Sequence, residues 1–295
     1  MSPPSLTAGA APARHRSLPR RALGNRNVLF GLVILGLLVL VALLAGFIAT
    51  GDPAAVRPRL RLRSPGDGSL LGTDHLGRDV FSRLVYGSQV SLFVGAGVAA
   101  IAIVAGTALG HVAGVVRWID GLVMRCMDGM MAIPAILFAI ALMSALGANL
   151  VTICVAIAIP EIPRVARMVR SVVLTVREEA YVEAAISMGT RLPTLMARHI
   201  LPNVAAPAVT QATYIASSAI LIEAALSFLG IGMPDEIPSW GNMMANARLV
   251  FQVQPSLMLF PGLCIALTVF GISRIGDGLR DLLDPRLARS IGQTK

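Results

Sequence analysis

The sequence predicts an all-α membrane protein of six transmembrane helices, with both termini on the cytoplasmic side. The first observation behind this is composition. The 295 residues are 55% apolar and 14% charged, with mean hydropathy +0.74, whereas soluble domains carry about 25% charged residues. So little polar surface cannot wrap so much apolar material. The second is spacing: apolar runs at roughly 28–50, 89–114, 121–146, 149–172, 204–229 and 256–275 can each cross ~30 Å of hydrocarbon at ~1.5 Å per residue. Lipid leaves free backbone groups unsatisfied, so these runs must be helical. The third is charge asymmetry. With the N-terminus inside, eighteen of the 25 basic residues face the cytoplasm, although six arginines fall outside within 57–83.

Taken in order, residues 1–27 read as a disordered basic cytoplasmic tail, carrying Arg14, Arg16, Arg20, Arg21 and Arg26 among Pro, Ala and Ser. The run from Val28 to Thr50 exceeds a signal-peptide h-region and reads as an uncleaved first helix. It opens a membrane domain spanning 28–279, followed by a cytoplasmic tail over 280–295. The external loop 51–88 places Arg57, Arg59, Arg61 and Arg63 at alternate positions, which would put all four on one side of an extended chain. They form either a solvated arm on lipid headgroups or a contact for an acidic partner. Gly72 to Asp79 supplies turn and capping residues. Val80 to Val85 then reads as an interfacial helix on the outer leaflet, with Arg83 opposite its apolar side. Pro134, Pro160 and Pro163 should kink spans three and four. In the external loop 230–255, Ser239 can cap a helix over 240–250 and Trp240 suits the membrane–water boundary. With Asp235 and Glu236, this loop is either a structural lid or a docking site for an external substrate carrier.

Acids inside spans cost about 2.5–3.5 kcal/mol or more at the bilayer centre. Asp128 is expected to pair locally with Arg125, three residues away. Glu223 is expected to face the pathway or a companion subunit, and His111 to be hydrogen-bonded. Cys126, Cys154 and Cys264 lack paired spacing and read as buried hydrophobes, with no metal site. The +9 charge belongs to membrane edges and points to lipid, not nucleic acid. No phosphate-binding Gly-rich loop occurs, and the only lysine is Lys295. No His-Glu-x-x-His pattern and no Ser–His pair stands out either. The chain is therefore read as non-catalytic and without its own cofactor, any nucleotide hydrolysis coming from another polypeptide.

The most telling segment is the cytoplasmic hairpin 173–203. Residues 176–188 favour a helix that Gly189 ends, and Thr190 and Pro193 start a second one. Tyr181, Ala184, Ala185 and Met188 share one helical face, away from Glu178, Glu179 and Glu183. Small residues permit close approach there, and Tyr and Met can anchor in a partner's groove.

Glu183-Ala184-Ala185, Gly189 and the downstream Leu201-Pro202 resemble the "EAA" loop of binding-protein-dependent ABC importer permeases. Four further runs resemble the dipeptide/oligopeptide/nickel subfamily: Leu71 to Asp79, His199 to Asn203, Glu223 to Gly230, and Gly276 to Pro285. The resemblance covers about residues 28–287. It implies a type I ABC importer permease fold in the bacterial cytoplasmic (inner) membrane. It also implies a second homologous permease subunit, two cytoplasmic ATPase subunits using ATP and Mg, and an extracytoplasmic solute-binding protein. Glu183, Ala184, Ala185 and Gly189 would belong to a coupling helix that enters a cleft on an ATPase. Two features depart from the pattern: Ile272 to Ile275 replaces an Asn-rich stretch, and the arginine stripe has no counterpart. Di- or oligopeptides are the expected cargo, with nickel, a metal chelate or glutathione as alternatives. A stand-alone channel or intramembrane enzyme is the alternative of another class.

Overall fold

In the computed structural model, residues 25–66 and 69–283 are described. Most of the basic N-terminal tail, and Arg286, Arg289 and Lys295, lie outside that range. Asn25 caps α1 (Arg26–Leu43) by accepting the Asn27 amide, and a single turn, α2 (Ala45–Ile48), continues it. Asp79 caps α3 (Val80–Val115), whose 36 residues make a rod of about 54 Å at ~1.5 Å per residue. After α4 (Arg117–Met131) and α5 (Ala135–Leu146), Asn149 caps α6 (Leu150–Arg177). Helix α7 (Ala180–Ser187) and the short α8 (Leu192–Leu195) lead through a π-helical turn, Met196–Ile200, into α9 (Leu201–Phe228). Helices α10 (Trp240–Ala247) and α11 (Ser256–Leu283) complete the described residues.

Among the described residues, four stretches have the length and apolarity of a span: α1, α3, Leu192–Phe228 and α11. Helices α4 and α5 together make a fifth, but they meet at 86°. The expected kinked span three is thus a broken one. Pro134 donates no amide, and the residue before a proline is driven away from helical backbone. Helix α6 has the length of the expected fourth span at 28 residues. Arg164, Arg167, Arg170 and Arg177 along its second half keep it from qualifying on apolarity. It continues through Pro160 and Pro163 without a break.

The central contact is α3 on α6. Gly106, Gly110 and Gly114 recur every fourth residue on α3, opposite Val165, Val169 and Val173 of α6. A methyl group on these glycines would lie within 2.7 Å of Val165, Val169 or Val173 atoms. The glycine row is therefore a groove filled by a valine ridge, the close approach that small residues allow between membrane helices. One apolar core surrounds this contact and takes in α5, α7 and α9. A second gathers Val80, Ile220, Trp240, Met243, Leu257 and Ile265 at the opposite end of α3.

Two expectations for the first loop are corrected. The interfacial helix over 80–85 is instead the first turns of α3, and Arg83 is buried inside the protein. The arginine stripe is not extended: Pro58–Leu60 forms a 3-10 turn and Leu62 takes a left-handed backbone, so the alternation defines no single side. Arg57, Arg59, Arg61 and Arg63 are nonetheless all exposed.

Candidate functional site

The hairpin between α6 and α9 projects from one end of the bundle. Arg177 fixes its base by donating to the carbonyls of Gly114 (2.9 Å) and Val115 (3.4 Å), closing the C-terminus of α3 with a cation. Gly189, at φ 78°, ends α7. The Gly189 amide bonds to the Ile186 carbonyl and the Thr190 amide to that of Ala185, which together satisfy two otherwise orphaned carbonyls. Among the described residues, nothing beyond its chain neighbours comes within 4 Å of where a Gly189 side chain would begin.

One face of α7 is turned to the bundle and the other to solvent. Val182 and Ala185 are buried in the main core with Leu195 and Ile200. Tyr181, Glu183, Ala184, Ile186 and Met188 are exposed, Met188 at 79% and Tyr181 at 47%. This corrects the expected face in one position: Ala185 is a packing residue and is not available to a partner. The remaining apolar members, Tyr181, Ala184 and Met188, stand uncovered at helical spacing. Asn203 donates to the Tyr181 hydroxyl at 3.1 Å, and the His199 ring lies 6.3 Å away, so the exposed tyrosine is held in place from α9. Beside the hairpin, a groove of about 630 Å³ runs between α3 and the π-helical turn, lined by Val104, Thr107, His111, Met196 and Leu201. His111 Nδ1 lies 3.0 Å from the Thr107 carbonyl.

Asp128 pairs with Arg167 of α6 at 2.6 Å, not with Arg125 as its sequence neighbourhood suggests. Asp120 receives a two-pronged contact from Arg170, so α4 is tied twice to α6. Glu223 is 1% exposed within the single chain. The hydroxyls of Ser227 (2.9 Å) and Ser239 (2.8 Å) both donate to its Oε1. Cys126 is exposed, contrary to the expectation of burial, and Cys154 is buried. Among the described residues, no three His, Cys, Asp or Glu side chains gather as a metal site.

The opposite end of the bundle carries the residues considered for docking a carrier. Asp235 and Glu236 are exposed, as are the four arginines. Trp240 is corrected: it is 0% exposed, with its indole N–H donating to the Leu84 carbonyl at 3.0 Å. Ser239 caps α10 in a reciprocal box with Asn242. The sequence placed Asp79 among the turn and capping residues, but did not reveal its contacts to Thr50 and Ser69. Its carboxylate accepts from Thr50, Ser69 and the Ser82 amide. Burial pushes that carboxyl up, but these donors outweigh it and hold it below its usual value. The signal was present as an Asp immediately before an apolar helix.

Comparison with known proteins adds to this geometry. The family described as "Binding-protein-dependent transport system inner membrane component" matches residues 101–289, which include the whole hairpin. The "Probable peptide ABC transporter permease protein y4tQ" of Sinorhizobium fredii is 48% identical over 285 residues, 97% of this chain and 98% of that protein. The "Dipeptide transport system permease protein DppC" of Alkalihalophilus pseudofirmus is 41% identical, covering 97% of this chain and 94% of its own length. The "Di/tripeptide transport system permease protein DppC" of Pseudomonas aeruginosa is also 41% identical, over 89% of both chains.

Proposed function

The chain belongs to the family of binding-protein-dependent transport system inner membrane components, multi-pass proteins of the bacterial inner membrane, and from that premise we propose that it is a translocation subunit of an ATP-driven importer of di- or oligopeptides. Peptide cargo follows the names of relatives that match almost end to end. Hydrolysis of ATP, with Mg, belongs to two partner ATPases. A second, similar permease completes the pathway, and an extracytoplasmic receptor delivers the peptide.

The observation that carries this reading is the uncovered Tyr181–Ala184–Met188 face on a helix whose other side is anchored in the core. A docked ATPase covers that face, and its closure drives α7 against the bundle. Val182 and Ala185 pass the displacement to Leu195 and Ile200, so α9 and α3 shift and the pathway changes the side to which it opens. Inward orientation of the hairpin and of both termini is part of the proposal.

Ala184→Arg tests it. Ala184 is exposed and arginine is a good helix former, so the fold tolerates the change. In the assembled transporter, peptide uptake and receptor-stimulated ATP hydrolysis should fall at least about tenfold, equivalent to ~1.4 kcal/mol of lost docking energy. The amount of protein in the membrane should stay the same. Unchanged uptake would remove α7 as the point where force enters.

A further inference from the structure

Two arginines lie inside the end of the bundle opposite the hairpin, and among the described residues only one carboxylate, that of Asp74, bonds to either of them. Arg78 is 3% exposed and Arg83 is 1% exposed. Arg78 Nε donates to Asp74 Oδ2 at 2.6 Å, and its Nη1 donates to the Asp235 carbonyl at 3.2 Å. Its Nη2 is buried and has no partner. Arg83 bonds only to neutral acceptors: the Pro53 carbonyl at 3.2 Å, the Asp235 carbonyl at 3.2 Å and Asn242 Oδ1 at 3.5 Å.

The nearby acids do not correct this imbalance. Asp74 is fully engaged, with Oδ1 receiving the Leu76 and Arg78 amides and Oδ2 receiving Arg78 Nε. Both oxygens of Asp79 are taken by Ser69, Thr50 and Ser82. The Asp235 side chain is exposed and accepts from Asn246, and Glu236 is exposed. His75 stands at the rim, where burial pushes its imidazole below the usual value and favours the neutral form. Among the described residues no carboxylate bonds to Arg83, and Asp235 and Glu236 act on its charge only from exposed positions. A buried charge that lacks a hydrogen-bonded counter-charge is costly even after the protein relaxes around it.

Against these guanidinium groups is a cavity of about 20 Å³, lined by Asp74, His75, Arg78, Arg83 and Asn246 together with apolar side chains including Val80 and Leu257. A water-sized particle needs roughly 10–15 Å³ by this kind of measure. The cavity therefore has room for one small particle beside the two guanidinium groups. We propose that it binds a small monovalent anion of about the size of chloride, held by Arg78 Nη2 and the Arg83 guanidinium. A water would satisfy the orphaned N–H but would leave the charge unbalanced. Because the same two arginines hold the carbonyls of Pro53 and Asp235, the anion acts as a keystone joining the loop before α3 to the loop before α10.

The test uses the full-length chain in detergent, with any subunits that co-purify, and chloride and bromide as probes. Sodium gluconate is exchanged for sodium chloride or bromide at constant ionic strength while thermal unfolding is followed. The unfolding midpoint should rise saturably with chloride and with bromide, as expected for a ligand that binds only the folded state. Arg78→Gln should lose that rise, whereas Arg59→Gln, at an exposed arginine, should keep it. Equal midpoints in gluconate and chloride would mean that water alone fills the cavity and would overturn the proposal. An equal rise in wild type and Arg78→Gln would place the ion on the surface and overturn it too. Should Arg78→Gln fail to fold, anomalous scattering from bromide-soaked wild-type crystals decides. A bromide peak between Arg78 and Arg83 supports the site, and peaks elsewhere only, adventitious ions, refute it.

Discussion

Trp240 shows how far a single side chain can depart from its compositional prior. Tryptophan is enriched at membrane–water boundaries, yet this one is fully enclosed, its amide facing Ser91 Oγ at 3.3 Å and its indole reaching Leu84. Both partners lie about 150 positions earlier in the chain, so nothing local could reveal the burial. Trp240→Ala should destabilise the protein by roughly 3–5 kcal/mol, the range for emptying a large aromatic site. The readout is chemical denaturation in detergent. An unchanged transition with weakened binding of a soluble receptor would return Trp240 to a surface role. Glu223 was half legible. Its expense in lipid required partners, and Ser227 is one turn away, but Ser239 comes from a separate loop.

At the scale of elements, caps and chain reversals were readable because they depend on neighbours in sequence. Asp79, Asn149, Ser239 and Gly189 mark helix ends with side chains or backbone that only a few residue types supply. Pairing between helices was not readable. Arg167 reaches Asp128 across 39 positions, whereas the sequence offered Arg125 three positions away. The glycine row on α3 was visible as a spacing of four, but its valine counterpart became evident only with α6 in place. Gly110→Leu should break that contact, because a Cβ there already meets the Ala166 carbonyl and Val169 within 2.7 Å. Overpacking of this kind costs about 1–3 kcal/mol or more, and folded protein recovered from membranes should fall accordingly. Gly121→Ala, in the middle of α4 with open space around it, should instead gain about 0.5–1 kcal/mol of helix stability. Equal behaviour of the two variants would show that α3 and α6 tolerate separation.

For the molecule as a whole, composition sufficed to place it in a membrane, and the ordered motifs sufficed for its family. Neither indicated how much structure the polar loops build. The segments before α3 and α10 interlock through buried serines, arginines and an asparagine instead of hanging as connectors. The absence of a nucleotide-binding loop has a consequence testable at this scale. Purified in mild detergent from its native host, the chain should carry nucleotide hydrolysis that disappears when co-purifying polypeptides are stripped away. Hydrolysis or ion flux by the stripped chain alone would refute its role as one subunit of a larger machine. The junction at Met196–Ile200 has a mechanical property of its own. A π turn holds one residue more than α-helical winding needs, and it sits where the exposed end of the 192–228 stretch joins its long inner part. Rewinding it to the α form would turn everything beyond Leu201 by about 100°. In the proposed mechanism, a push delivered at the hairpin would then emerge inside the bilayer as torsion, like a screw thread converting thrust into twist.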